Sequence, residues 1–147
     1  MAVLVTEALA KRFQDAGLDV WPFMEEFADW KDGWPAKEYD FELFGKDGMY
    51  DQPRVGGARV LWHVHLEPTE DLVGWQDWMR AFTFRKRKTS NRVLVYARRH
   101  TDYLLITILD EPDAHLIAQM RTPRHKALME SFAEIARAWI EDDEILA

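Results

Sequence analysis

The chain contains no cysteine. Disulfides, a thiolate nucleophile and zinc–thiolate sites are therefore excluded. Long apolar runs are also missing. The longest, Val93–Ala97 and Tyr103–Leu109, fall far short of the ~20 residues that cross a bilayer, so no membrane partner is expected. The opening MAVLVTEALAKRF lacks a basic start followed by a long apolar core, so no signal peptide is read there and the cytoplasm is the expected compartment. Glycine is scarce and does not occur after Gly74. What is present suits one globular domain. The 147 residues are 48% hydrophobic and 31% charged, enough apolar material for a core and too much for a disordered chain. A single domain over residues 1–147 is expected, with the acidic end, residues 141–147, frayed.

One stretch lacks charge of one sign. The net charge is −7, yet residues 80–100 hold 8 Lys/Arg and no Asp/Glu, while residues 1–79 hold 7 Lys/Arg against 16 Asp/Glu. A cationic segment inside an acidic protein says more than the total. The overall sign argues against nonspecific nucleic-acid binding. The segment itself, with Phe82, Phe84 and Tyr96 among Arg80, Arg85, Lys86, Arg87, Lys88, Arg92, Arg98 and Arg99, suits phosphate tracking with aromatic stacking, or an acidic protein partner. The bland alternative is a charged turn and a guarded strand edge.

The hydrophobic pattern predicts a strand over Ala2–Thr6 and a short helix over Glu7–Phe13. A second helix carries Val20, Phe23, Met24, Phe27 and Trp30 at helical spacing. Lys37–Gly57 reads as a long loop. Arg59–Leu66 alternates like a strand, and Thr69–Arg80 reads as a helical turn or two. Phe82–Phe84 reads as a short strand, and Val93–Arg98 with Tyr103–Asp110 as a hairpin. Ala114–Met120 is helical. Thr122 then caps a last helix that starts at Pro123 and carries Leu128, Phe132, Ile135 and Trp139. Strands that run together rather than alternating with helices give an α+β class with a small, mainly antiparallel sheet, N-terminal helices on it and helices at the C-terminal end.

His63 and His65 share one face of the Arg59–Leu66 strand, with Val60, Trp62, Val64 and Leu66 on the other. They are expected to project from the face opposite the core. Imidazoles titrate near neutrality, so the pair suits acid–base chemistry; two ligands do not make a metal site. Gly57, His63, His65 and Glu70 resemble the first half of a cupin metal motif, but the second half needs downstream glycines that this chain lacks. His100 reads as a solvated turn residue, His115 as a structural residue at a helix start, and His125 as the beginning of the last helix.

Several segments together resemble the YafO family of type II toxins. They are Phe44-Gly45-x-Asp47-x-x-Tyr50-Asp51, Arg59-Val60-x-x-His63-x-His65-Leu66, Thr89-Ser90-Asn91 with Leu94-Val95-Tyr96, and Leu104-Leu105-Ile106-x-Ile108-Leu109 with Pro112 and His115. The resemblance implies a RelE-like fold and a ribosome-dependent mRNA interferase without cofactor or metal. Its implied partners are the ribosome, mRNA and a cognate antitoxin. The chain departs from such toxins in its net acidity, its Trp75–Trp78 stretch and its acidic tail. Cleavage by the ribose 2′-hydroxyl needs a base, an acid and a cation. His63 and His65 are the candidates for base and acid, Arg85 or Arg92 for the cation, and Tyr96 for stacking or proton donation. Asp47, Tyr50, Lys86, Arg87, Lys88, Arg92 and Arg98 are the candidates for holding RNA, with Asp47 and Tyr50 alternatively orienting a histidine from the loop. The rival class is a noncatalytic module, or a decayed toxin, that binds an acidic partner through residues 80–100. The seven tryptophans suit either a core or a homo-oligomer interface.

Overall fold

The computed structural model describes residues 1–147. Its elements are β1 (Val3–Val5), α1 (Glu7–Asp15), α2 (Trp21–Asp32), a 3₁₀ turn (Glu38–Asp40), β2 (Phe44–Met49), β3 (Arg54–Val55), β4 (Ala58–Arg59) and β5 (Trp62–Leu66). These are followed by α3 (Leu72–Thr83), β6 (Val93–Arg99), β7 (Asp102–Leu109), α4 (Ala114–Gln119) and α5 (Pro123–Asp142). Five strands form one sheet in the order β1-β7-β6-β5-β2, and β3 and β4 make a separate small ribbon. Every pairing in the main sheet is antiparallel except β1 against β7. The α+β class with a mainly antiparallel sheet is therefore correct.

Both faces of the sheet are buried. Every residue of Val93–Ala97 is buried, which is how a strand covered on two sides reads. Leu94 and Tyr96 join Tyr103, Leu105 and Ile108 in a core with Leu9 of α1 and Met24, Phe27 and Trp30 of α2. Val93, Val95 and Ala97 join Leu104 and Ile106 in a second core with Met129, Phe132, Ala133, Ala136 and Trp139 of α5. Small Ala133 and Ala136 let the α5 backbone approach the sheet, and Trp139 fills the end of that layer. Thr122 caps α5 through its side chain, which accepts from the His125 amide at 3.1 Å.

The structure corrects several sequence expectations. The face carrying His63 and His65 does not look onto solvent: their register partners are Val95 and Val93, which belong to the core under α5. The Arg59–Leu66 strand is broken, because Val60 and Leu61 are both buried in that same core, so alternation slips there. The expected long loop contains the edge strand β2. Phe82–Phe84 is the end of α3 rather than a strand. The acidic end makes specific contacts. Asp143 caps α5 and pairs with Arg99 at 2.9 Å, and the Ala8 amide donates to the Ala147 carbonyl at 3.0 Å.

Gly45 explains one position of the Phe44–Asp51 motif. A Cβ at this residue would stand 2.4 Å from the Lys88 carbonyl oxygen and 2.7 Å from the Trp78 ring. Only glycine lets β2 come this close to the chain beyond α3.

Candidate active site

The strand β5 places His63 and His65 two residues apart on one face, with ring centroids 5.8 Å apart. His65 continues the row to His115 at the start of α4, again at 5.8 Å. Tyr50, just past β2, lies flat on His63 with centroids 3.9 Å apart and planes within 6°. His65 is 5% exposed, whereas His115 and Lys46 are exposed. The result is a row of imidazoles that runs from the interior to the surface beside an edge strand.

Ser90 fixes His65. Its backbone N and O both lie 2.8 Å from His65 Nδ1. The amide donates to Nδ1 when the ring proton is on Nε2, and the carbonyl accepts when the proton is on Nδ1. Either tautomer is satisfied, so Nε2 can present a proton or a lone pair. Ser90 itself is held because its hydroxyl donates to the Leu66 carbonyl at 2.6 Å. His63 differs, since its buried Nδ1 makes no hydrogen bond within the protein.

Burial pushes both histidines down to about 4. For His63 the charges of His65 and Lys46 add to the effect; for His65 the hydrogen bond to Ser90 opposes burial, and His115 and Lys46 add to it. Both rings are neutral at pH 7, the form that accepts a proton. A stability consequence follows. The unfolded rings titrate near 6.5, so above that pH neither state gains protons and the full contribution is present. As pH falls from 6.5 to 4, the unfolded chain takes up protons first and stability is lost. Buried His65 alone accounts for on the order of 3 kcal/mol across this window. Urea unfolding at pH 7.5, 5.5 and 4.5 measures the slope, and His65→Gln is expected to flatten it by close to one proton. An unchanged slope in that variant would show that His65 is not held neutral.

Not every sequence candidate reaches this site. Tyr96 is corrected: it is fully buried on the other face of the sheet, among Phe27, Trp62 and Tyr103, so it neither stacks on RNA nor donates to it. Asp47 is on that face too. It accepts from the Tyr96 hydroxyl at 2.6 Å and from Lys31 Nζ at 2.6 Å, with its side chain 1% exposed. Lys88 is buried and donates to the Phe41 carbonyl at 2.8 Å, between the rings of Trp78 and Phe82. Asp47 and Lys88 are thus structural rather than RNA-holding. Tyr50 is at the site.

The basic segment is dispersed by folding. Arg85 pairs with Asp40 at 2.8 Å, Arg87 with Glu38 at 3.5 Å, Arg80 with Asp77 at 3.4 Å and Arg99 with Asp143 at 2.9 Å. Arg92 is mostly buried, gives its NH1 to the Glu67 carbonyl and stands 3.9 Å from Asp110. Arg98 covers the Tyr103 ring and donates to the His100 carbonyl, while exposed Lys86 pairs with no acid. Acids distant in sequence thus supply the balance missing along the chain. None of these contacts brings Arg85 or Arg92 to the histidines. The cation whose charge acts on both rings is Lys46, exposed on the neighbouring strand β2.

The sequence reading missed Lys46, His115, Ser90 and Asn91 as parts of one site. Ser and Asn before a strand are signals of local backbone bonding, but their partners lie 24 and 25 positions away. No group of three or more His, Cys, Asp or Glu is arranged to hold a metal ion, and Glu70 of the cupin-like spacing stands before α3, its amide facing the Glu111 carboxylate. No helix is long and apolar enough to cross a membrane.

The domain is thus a two-sided α+β sheet with a row of histidines beside its edge strand. The family model described as "Toxin YafO, type II toxin-antitoxin system" matches residues 28–141, from within α2 to the end of α5. The chain belongs to this family of type II toxins, and membership implies an antitoxin partner. No curated protein matches the chain. No solved structure matches it.

Proposed function

We propose that this toxin is an mRNA interferase that cleaves message on the ribosome. The observation that carries the reading is the pairing of His63 and His65, two neutral imidazoles side by side, with Tyr50 stacked on one and the charge of exposed Lys46 acting on both. The ribose 2′-hydroxyl attacks the adjacent phosphorus, a bond to the 5′-oxygen breaks, and a 2′,3′-cyclic phosphate and a 5′-hydroxyl result. His65 is the base for the 2′-hydroxyl, because Ser90 holds it in either tautomer. His63, braced by Tyr50, is its neighbour on the strand and takes part in the same proton transfer. Lys46 meets the negative charge that builds on the phosphate. The ribosome supplies what an acidic protein lacks, by holding and orienting the RNA.

The test uses purified protein and one message, offered naked and on translating ribosomes, with 5′ ends mapped by primer extension. New ends are expected only with ribosomes. Ends in neither tube, with folded protein, would replace this reading with a noncatalytic binding module. Ends on naked RNA would remove the dependence on the ribosome.

A further inference from the structure

Two segments of the family resemblance, Thr89-Ser90-Asn91 and Pro112 with His115, meet through Asn91, whose side chain takes no part in holding His65. The Asn91 side chain donates through Nδ2 to the Pro112 carbonyl and accepts the His115 amide through Oδ1 at 3.0 Å. The helix α4 needs this help. It is six residues long, and Asp113 at its N-cap makes no side-chain capping bond. Asn91 caps it from another part of the chain, satisfying an amide that its own N-cap leaves open. One dipeptide thereby sets two histidines from distant elements. Ser90 holds His65 by its backbone, and Asn91 holds His115 by its side chain. The two rings come to 5.8 Å, one buried and one exposed.

We infer that His115 is a further catalytic group, the proton donor to the departing 5′-oxygen, and that Asn91 is its positioning residue. The inference rests on the reading above. That reading supplies a base and leaves the acid unnamed. The attacking and leaving oxygens lie on opposite sides of phosphorus, so acid and base must be separate groups on either side. His63 and His65 are both held neutral and have no proton to give as cations. Burial pushes the Tyr50 hydroxyl up, which makes it a poor donor. His115 faces solvent at the open end of the histidine row, where a leaving oxygen can reach it. In the balanced step, the 2′-hydroxyl proton passes to His65, the O2′–P bond forms and the P–O5′ bond breaks. The leaving oxygen takes the proton from the His115 imidazolium. Exchange with water then returns His65 and His115 to their starting states.

The test compares an ordinary message with one carrying a sulfur in place of the 5′-bridging oxygen at the site that the wild-type protein cuts. Sulfur leaves without needing a proton. On the ordinary message His115→Ala is expected to slow single-turnover cleavage roughly 10²–10³-fold. Asn91→Ala is expected to slow it roughly 10–100-fold, since a misplaced group loses most of its advantage. On the sulfur message both variants are expected to come within a few-fold of wild type. Asn91→Asp, which keeps the oxygen that accepts the His115 amide, is expected to stay closer to wild type than Asn91→Ala on the ordinary message. A merely structural role would slow both messages alike, and that result overturns the inference. An undiminished rate for His115→Ala on the ordinary message overturns it too, while leaving the proposed function standing. Absence of cleavage by the wild-type protein removes both.

Discussion

Replacing His63 and His65 together by glutamine is expected to remove message cleavage, lowering the single-turnover rate by roughly 10³-fold or more, since a positioned proton acceptor alone contributes typically about 10²–10⁴. Glutamine keeps much of the volume of the ring and some hydrogen-bonding capacity. It cannot take up a proton near neutrality. The fold is expected to survive. Neither histidine belongs to the two apolar cores, and the β5 register is fixed by Val64 and Leu66, which lie in the core under α1 and α2. Circular dichroism and a urea transition check the fold, and primer extension on translating ribosomes checks activity. Full activity in a folded double variant would remove both histidines from the chemistry. Loss of activity together with loss of the urea transition would show that the row is a structural element first.

The second large effect concerns stability and comes from the opposite face of the sheet. Asp47→Ala is expected to destabilise the protein by about 3–5 kcal/mol, the usual cost of removing one partner of a buried ion pair. Lys31 and Asp47 have side chains only 4% and 1% exposed, at 2.6 Å from each other. The Lys31 ammonium lies 4.6 Å from the Trp30 ring, 4.8 Å from Trp34 and 5.5 Å from Trp62. Aromatic faces attract a cation but do not replace a carboxylate. Burial already pushes Lys31 below its ordinary range despite the pair. Without Asp47 the lysine is left unpaired and the Tyr96 hydroxyl loses its acceptor. The double variant Lys31→Met/Asp47→Leu is expected to recover much of the loss, because the uncompensated charge has gone. Urea midpoints of the single and double variants decide the matter. A cost under about 1 kcal/mol for Asp47→Ala would mean that water reaches Lys31 freely, as at a surface pair.

These two effects divide the motif Phe44-Gly45-x-Asp47-x-x-Tyr50-Asp51 between the two faces of the sheet. Gly45 allows a close approach, and Asp47 neutralises a buried lysine. Tyr50 braces a histidine. Proximity along the chain gave no sign of this split, because β2 is an edge strand with an irregular register between Phe44 and Asp47. Read as loop residues, Asp47 and Tyr50 would position RNA or orient a histidine; Tyr50 lies against His63, whereas Asp47 faces the other way.

Sequence by itself determined a good deal. Apolar periodicity located α2, periodicity with the Thr122 cap located α5, and β-branched runs located the β6–β7 hairpin, because these signals are local and each element carries its own. The absence of cysteine and of long apolar segments bounded the chemistry in the same direct way. The alternation around His63 and His65 put both rings on one strand face, and that placement is correct. Tertiary structure alone decided what lies over that face. A strand pattern tells which residues are together, not whether a helix some sixty positions later will cover them. It also decided the fate of the charges. Eight cations within residues 80–100, with no acid among them, predicted a patch. Folding instead brought Glu38, Asp40, Asp77, Asp110 and Asp143 to five of them and buried Lys88, because a cation that leaves water needs a partner. The same long-range closure brought Asn91 to His115 and Ser90 to His65. A site assembled from β2, β5, the Ser90–Asn91 turn and α4 exists only once the sheet has closed, since each of its hydrogen bonds joins residues that the sequence keeps apart.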